Sequence, residues 1–172
     1  MKKYIPLVLV ALYPYFIVAT LAGVLSNLFP DSLSIILILL ISSLVGLIAS
    51  VGTAIVCLIR RWDAKGILRA NMIIKLAQIP AYVAIFMVGM AFMITIFTAA
   101  ISILLVIFDL FVIFLSGLVG LAGIISALRD KRITKTQAII HGLLQFVFCI
   151  DVVSAIIVYR SVKAKSNHIT QA

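Results

Sequence analysis

Long runs of apolar residues dominate the chain and are interrupted only by short polar stretches. Residues 4–30, 32–59, 76–108 and 110–128 carry no charged side chain. A helix that crosses a membrane needs about 20 apolar residues, whereas a transmembrane barrel would show apolar and polar residues in alternation. These runs do not alternate. The pattern therefore predicts an all-α fold, a polytopic transmembrane helix bundle that forms a single domain over residues 1–172.

The polar breaks divide the chain into five predicted spans. The stretch 76–128 is too long for one span, because a single helix over it would reach about 80 Å against a hydrocarbon core of about 30 Å. We place its turn at TIFTAAIS, residues 95–102. The predicted spans are 5–28, 32–59, 76–97, 101–128 and 136–159, followed by a loose polar tail, 160–172. The first run is longer than a signal peptide requires, so we expect an uncleaved helix.

A four-span alternative remains open for the last segment. His141, Gln145 and Asp151 make 136–159 the least lipid-like of the five. In this alternative, the segment is re-entrant or interfacial and does not cross.

Basic residues lie at the ends of the apolar runs. The chain has 14 Lys and Arg against 5 acidic residues, a net charge of +9. With the N-terminus inside, the first lysines and the loops 60–75 and 129–135 all face the cytoplasm, as the positive-inside rule requires. The sequence thus predicts a multi-pass protein of the plasma membrane with a cytoplasmic N-terminus. We attribute the charge to topology and expect no binding of nucleic acid.

Small residues recur on one face of two predicted helices. Helices in a lipid bilayer associate through close packing of small residues and through hydrogen bonds. The predicted helix-packing positions are Ser42, Gly46 and Ser50 in the second segment and Ser116, Gly120 and Gly123 in the fourth. Asp109 shares the face of the second set, so we expect its carboxyl group to point into the bundle.

Three ionisable residues, Asp109, His141 and Asp151, fall inside predicted spans. Such residues are rare in membranes and raise a functional hypothesis by default. Together with Gln145 they form a candidate intramembrane polar site. We expect the two carboxyl groups at similar depth, protonated and without a basic partner, since Lys75 is assigned to the preceding loop.

Two interpretations of this polar site stay open. The first is a proton- or cation-responsive site, and the second is hydrogen bonding between helices that serves packing alone. Asn71, Lys75 and Gln78 form another polar edge, which we interpret as a helix entrance at the membrane interface.

The loop 60–75 has Arg61, Lys65 and Arg69 at spacings of four, with Trp62 nearby. This pattern is typical of an interfacial helix that contacts lipid headgroups, at about 1 kcal/mol per basic residue. A topology signal alone would produce the same residues.

Motifs of known enzyme classes are missing from the sequence. HExxH, CxxC and the phosphate-binding loop do not occur, and Cys57 and Cys149 stand alone. Ser116 and Gly117 with His141 match the serine–histidine pair of rhomboid-type proteases only weakly, because Phe114 stands where that motif has glycine. The aspartates lack the GxGD of presenilin-type proteases. We therefore expect no enzyme activity, no cofactor and no metal site.

The stretches 71–82, 108–128 and 141–159 resemble a group of small multi-span proteins from Firmicutes without a characterised activity. The resemblance covers about half the chain and implies a bacterial plasma membrane. We expect a binding, accessory or immunity-type protein that packs against the lipid bilayer and against a partner membrane protein or a second copy. The alternative is a small proton- or cation-coupled transporter or channel. The chain length favours the first, because many transporters use duplicated halves and no repeat is visible here.

Overall fold

The computed structural model describes residues 5–26, 32–94 and 99–169, and within these ranges every regular element is a helix. In chain order the helices are α1 (Ile5–Leu25), α2 (Ser32–Ile59), α3 (Ala64–Phe92), α4 (Ala99–Arg129), α5 (Lys135–Leu144) and α6 (Ile150–Ile169). The first four are long and apolar enough to cross a membrane. The predicted all-α helix bundle is confirmed, and the described residues contain four helices of this length and hydropathy, whereas the sequence predicts five spans.

The first four helices run alternately up and down. Helix α2 matches its predicted bounds, but α3 begins at Ala64 instead of residue 76. The prediction of a loop over 60–75 is wrong for most of its length, because Lys65 and Arg69 lie on the partly exposed face of α3 and Lys75 lies on its buried face. The predicted turn at 95–102 falls partly outside the described residues, and its last four residues belong to α4.

Helices α2 and α4 end in the same way. Arg61 (φ 47°) and Lys131 (φ 55°) adopt the left-handed conformation that commonly terminates a helix. The next residue then returns a backbone hydrogen bond, from the Trp62 N–H to the Cys57 carbonyl (3.2 Å) and from the Arg132 N–H to the Ala127 carbonyl (2.9 Å). An ion pair of 3.4 Å between Arg132 and Asp63 joins the two connections.

The predicted fifth span is a helical hairpin. Thr134 caps the start of α5, and Cys149, with φ 64°, precedes α6. The His141 Nδ1 atom lies 3.0 Å from the Ser154 Oγ atom, whereas 13 residues of one continuous helix would separate them by about 20 Å. A single helix over 136–159 is therefore wrong, because the chain reverses at 145–149. The prediction of a loose tail is also wrong, since α6 continues to Ile169.

Helix α6 packs antiparallel to α3. Asp151 contacts Lys75, and seven residues further along α6, Val158 joins the buried cluster of Leu68, which lies seven residues earlier in α3. The tip of the hairpin therefore lies halfway along the bundle, while the far end of α6 returns to the start of α3.

We call that end of the bundle the basic end. Its basic residues are Arg60, Arg61, Lys65, Arg69, Arg129, Lys131, Arg132, Lys135, Arg160, Lys163 and Lys165.

A proline in α1 determines one contact between α1 and α3. Pro14 has no backbone N–H, so the carbonyl group of Val10, four residues earlier, loses its partner within the helix. The Gln78 side chain, fully buried in α3, donates a hydrogen bond of 3.0 Å to that carbonyl group. The polar side chain thus satisfies a backbone group that proline has left unpaired.

We expect Gln78→Leu to lower the free energy of unfolding by about 1–2 kcal/mol, because it leaves the buried Val10 carbonyl group unpaired. In a Pro14→Ala background the same change should cost less, since the new alanine supplies a backbone N–H to Val10. Denaturant-driven unfolding of the four proteins in micelles measures both costs. Equal losses of unfolding free energy in the two backgrounds would show that the hydrogen bond to Val10 does not account for the effect of Gln78→Leu.

Candidate functional site

A buried lysine lies at the centre of the candidate site. The Lys75 Nζ atom lies 2.6 Å from the Asp151 Oδ2 atom, 3.3 Å from the Ser116 Oγ atom and 3.3 Å from the backbone oxygen of Gln145. A lysine ammonium group has three protons to donate, so each proton has an acceptor. The side chains of Lys75 and Asp151 are 0% and 1% exposed.

Four helices bring these groups together, and Ser116 is the contribution of α4. Lys75 lies eleven residues into α3, about 16 Å along its axis. Gln145 follows the last turn of α5, where its carbonyl group is turned towards Lys75. Asp151 lies in the first turn of α6, and a negative charge is favourable at the N-terminus of a helix. The reversal at the hairpin tip thus supplies both a carbonyl and a carboxylate oxygen to the lysine.

Two amide side chains extend the site. The Asn71 Nδ2 atom donates to the Gln145 Oε1 atom at 3.2 Å. The other polar atoms of the two amides, Asn71 Oδ1 and Gln145 Nε2, are buried and have no hydrogen-bond partner among the described residues. Gly120 of α4 makes room for this pair, because a Cβ atom there would lie 2.7 Å from Asn71 Nδ2 and would collide with Gln145 Oε1.

The other predicted packing residues lie at helix contacts, with one exception. Added Cβ atoms at Gly46 and Gly123 would lie 3.0 Å from Leu115 and 2.9 Å from Leu68, respectively. Ser50 of α2 donates a hydrogen bond of 2.5 Å to the backbone oxygen of Leu115 in α4. Ser42, in contrast, bonds to Leu39 of its own helix.

Asp109 lies apart from this cluster. It is half-buried and borders a cavity of about 100 Å³ between α3 and α4, which Ser102 and Met93 also line. Its Oδ1 atom is buried and has no hydrogen-bond partner among the described residues. Seven residues of α4, about 10 Å, separate it from Ser116 at the level of Lys75. The prediction that the two carboxyl groups share a depth is therefore wrong, because the hairpin reversal places Asp151 at the level of Ser116.

The expectation that the intramembrane acids have no basic partner is wrong for Asp151. Lys75 follows four other basic residues, which favours a loop, but α3 carries it into the bundle. The interpretation of Asn71, Lys75 and Gln78 as a helix entrance is wrong as well, since all three are fully buried. Their signal is the spacing: with Tyr82 they recur every three or four residues, which is one face of a helix.

His141 pairs with Ser154 and not with Ser116. It is half-buried and pairs with Ser154 across the hairpin. Ser116, by contrast, contacts Lys75. The structure therefore does not bring the serine and histidine of the rhomboid-type comparison together. Within residues 5–26, 32–94 and 99–169, no three His, Cys, Asp or Glu side chains lie close enough to hold a metal ion.

The predicted headgroup-contact residues lie at the basic end. Arg61 and Arg69 are exposed, and Trp62 and Lys65 are half-buried. Arg61 and Trp62 belong to the α2–α3 connection, and Lys65 and Arg69 belong to the first turns of α3.

Comparison with known proteins gives a family without an assigned activity. Nothing among curated protein sequences or solved structures matches the chain. One family model matches residues 2–164, which is nearly the whole sequence. The chain belongs to this family, described as a family of unknown function (DUF6652).

Proposed function

We propose that the protein is a small integral membrane protein of the bacterial plasma membrane that acts as a binding or accessory subunit, with a partner membrane protein or a second copy. Its first four helices cross the bilayer, and the α5–α6 hairpin enters from the cytoplasmic side and returns to it. The observation that carries the proposal is the saturation of Lys75. All three of its protons are used in holding the hairpin tip.

The distribution of charge supports this orientation. Apart from Lys75, the described basic residues lie at the basic end, and the positive-inside rule puts such an end in the cytoplasm. Because the hairpin reverses, the basic residues of α6 lie on the same side as those of the loops. A five-span arrangement would leave them on the opposite side.

The outer surface supports a role in binding. Apolar side chains of α2 and α3 that point away from the bundle, such as Ile48 and Met87, are each 64% exposed. Lipid covers such surfaces as readily as protein does. A partner helix can therefore replace lipid wherever shape and hydrogen bonds favour it.

A specific observation favours a second candidate, a proton- or cation-coupled transporter. Asp109 has a buried oxygen without a hydrogen-bond donor among the described residues, and Asn71 and Gln145 each keep one unpaired polar atom there. Buried polar groups that lack a partner are where a transported proton or cation would be held.

The two topologies are separated by labelling. In a Cys57→Ala, Cys149→Ser background, single cysteines at Lys135 and Lys163 should both resist a membrane-impermeant maleimide in intact cells and react after permeabilisation. Labelling at position 163 alone in intact cells would favour five crossings.

The role of the ion pair is tested by single and double replacement. Lys75→Met should lower the free energy of unfolding by about 3–5 kcal/mol, because it leaves a buried carboxylate without its cation. Adding Asp151→Val should restore most of that loss, since two apolar side chains need no partner. Thermal and denaturant unfolding in micelles measure both variants.

Arg69→Met, which removes an exposed basic side chain from the same helix, is the matched control and should change stability by less than about 0.5 kcal/mol. A Lys75→Met, Asp151→Val double variant no more stable than Lys75→Met alone would contradict a pair that serves packing only.

Proton flux separates the two candidate functions. In liposomes with an imposed pH gradient, the purified protein should conduct no faster than protein-free liposomes, as expected for an accessory subunit. Flux that Asp109→Asn abolishes, and that the exposed control Asp130→Asn leaves intact, would overturn that proposal in favour of transport.

A further inference from the structure

An apolar groove runs along the outside of the bundle between α1 and α2. Its larger part has a volume of about 650 Å³ and is lined by Leu9 of α1 and by residues of α2 that include Val45, Gly52 and Val56. A second part of about 450 Å³ shares Leu9 and Val45 with the first and continues to Ile38. The two parts therefore form one continuous groove.

The groove has the length of a lipid leaflet or more and an open floor. From Val45 to Arg60 its larger part follows α2 for about 22 Å, somewhat more than one leaflet, which is half of a hydrocarbon core of about 30 Å. A Cβ atom added at Gly52 would meet nothing within 4 Å. A flexible chain can thus lie against the backbone of α2 at this point.

A positively charged side chain, Arg60, lies at one end of the groove. Arg60 and Trp62 line the groove where it reaches the basic end. Arg60 is exposed, and its guanidinium group makes no hydrogen bond or ion pair with the residues that the structure describes. A guanidinium group binds phosphate oxygens in pairs, and tryptophan is enriched at the level of lipid headgroups.

We propose that this groove holds an acyl chain of an anionic phospholipid whose phosphate group is bound by Arg60. The apolar walls match the chain, and the positive charge at one end matches the headgroup. A partner helix would fill the apolar walls equally well, but it would leave Arg60 without a counter-charge. The inference rests on the membrane placement in the proposed function and adds a defined lipid to it.

The test compares two lipids on the full-length protein in detergent. Native mass spectrometry should show one phosphatidylglycerol bound in preference to phosphatidylcholine. Arg60→Gln should weaken phosphatidylglycerol binding roughly fivefold, the loss expected for one basic residue at a membrane surface. Gly52→Leu, whose Cβ atom would meet nothing within 4 Å, adds a side chain to the floor of the groove and should weaken the binding of both lipids.

Arg160→Gln removes an exposed charge of the same kind from α6, away from the groove, and is the matched control. Equal binding of the two lipids by the wild-type protein, or an equal loss in Arg60→Gln and Arg160→Gln, would overturn the lipid site. Membrane fractionation of the same variants tests the placement separately. Failure to enter the membrane counts against the proposed function, whereas unselective binding by inserted protein counts against the lipid site alone.

Discussion

The ion pair between Lys75 and Asp151 is the constraint on which the rest of the structure depends. A single buried charge costs several kcal/mol unless an opposite charge and hydrogen bonds compensate it. Lys75 lies in the middle of α3, so its counter-ion must reach that depth. The α5–α6 hairpin does so by reversing at its tip, which supplies the Asp151 carboxylate and the Gln145 carbonyl oxygen. The same reversal returns α6 to the basic end, so the pair also determines the placement of the C-terminal helix.

Around this pair, close approach and hydrogen bonds specify which helix faces meet. Apolar burial alone would not select them, because outer and inner surfaces are similarly apolar. Gly117, Gly120 and Gly123 form a trough on α4, and added Cβ atoms would collide with Phe146, Gln145 and Leu68, respectively. Gln78 provides a second specific contact, because it donates a hydrogen bond to the Val10 carbonyl group that Pro14 leaves unpaired. Each contact joins a small or polar residue of one helix to a specific atom of another.

The sequence predicts the parts of the fold that depend on length and hydropathy. The bounds of α2 are correct, and the bundle class follows from the uncharged runs alone. The hairpin escapes prediction because its turn has neither glycine nor proline, and Cys149 takes the left-handed conformation there instead. Lys75 is assigned to a loop when charged residues are grouped by their position in the sequence, without regard to which face of a helix they occupy. The face shared by Asn71, Lys75 and Gln78 is visible as spacing, but pairing with Asp151 depends on a reversal that spacing does not encode.

The two aspartates inside the described bundle differ in whether a basic side chain compensates their charge. Lys75 and Asp151 neutralise each other, and the hydrogen-bonding capacity of the ammonium group is used up. Asp109 lies about two helical turns away, beside a small cavity, with one buried oxygen unpaired among the described residues. A carboxyl group in such surroundings is neutral only if it carries its own proton or receives a cation from outside the bundle. The second candidate function, transport, would therefore draw on Asp109, whereas the Lys75–Asp151 pair holds the hairpin tip in place.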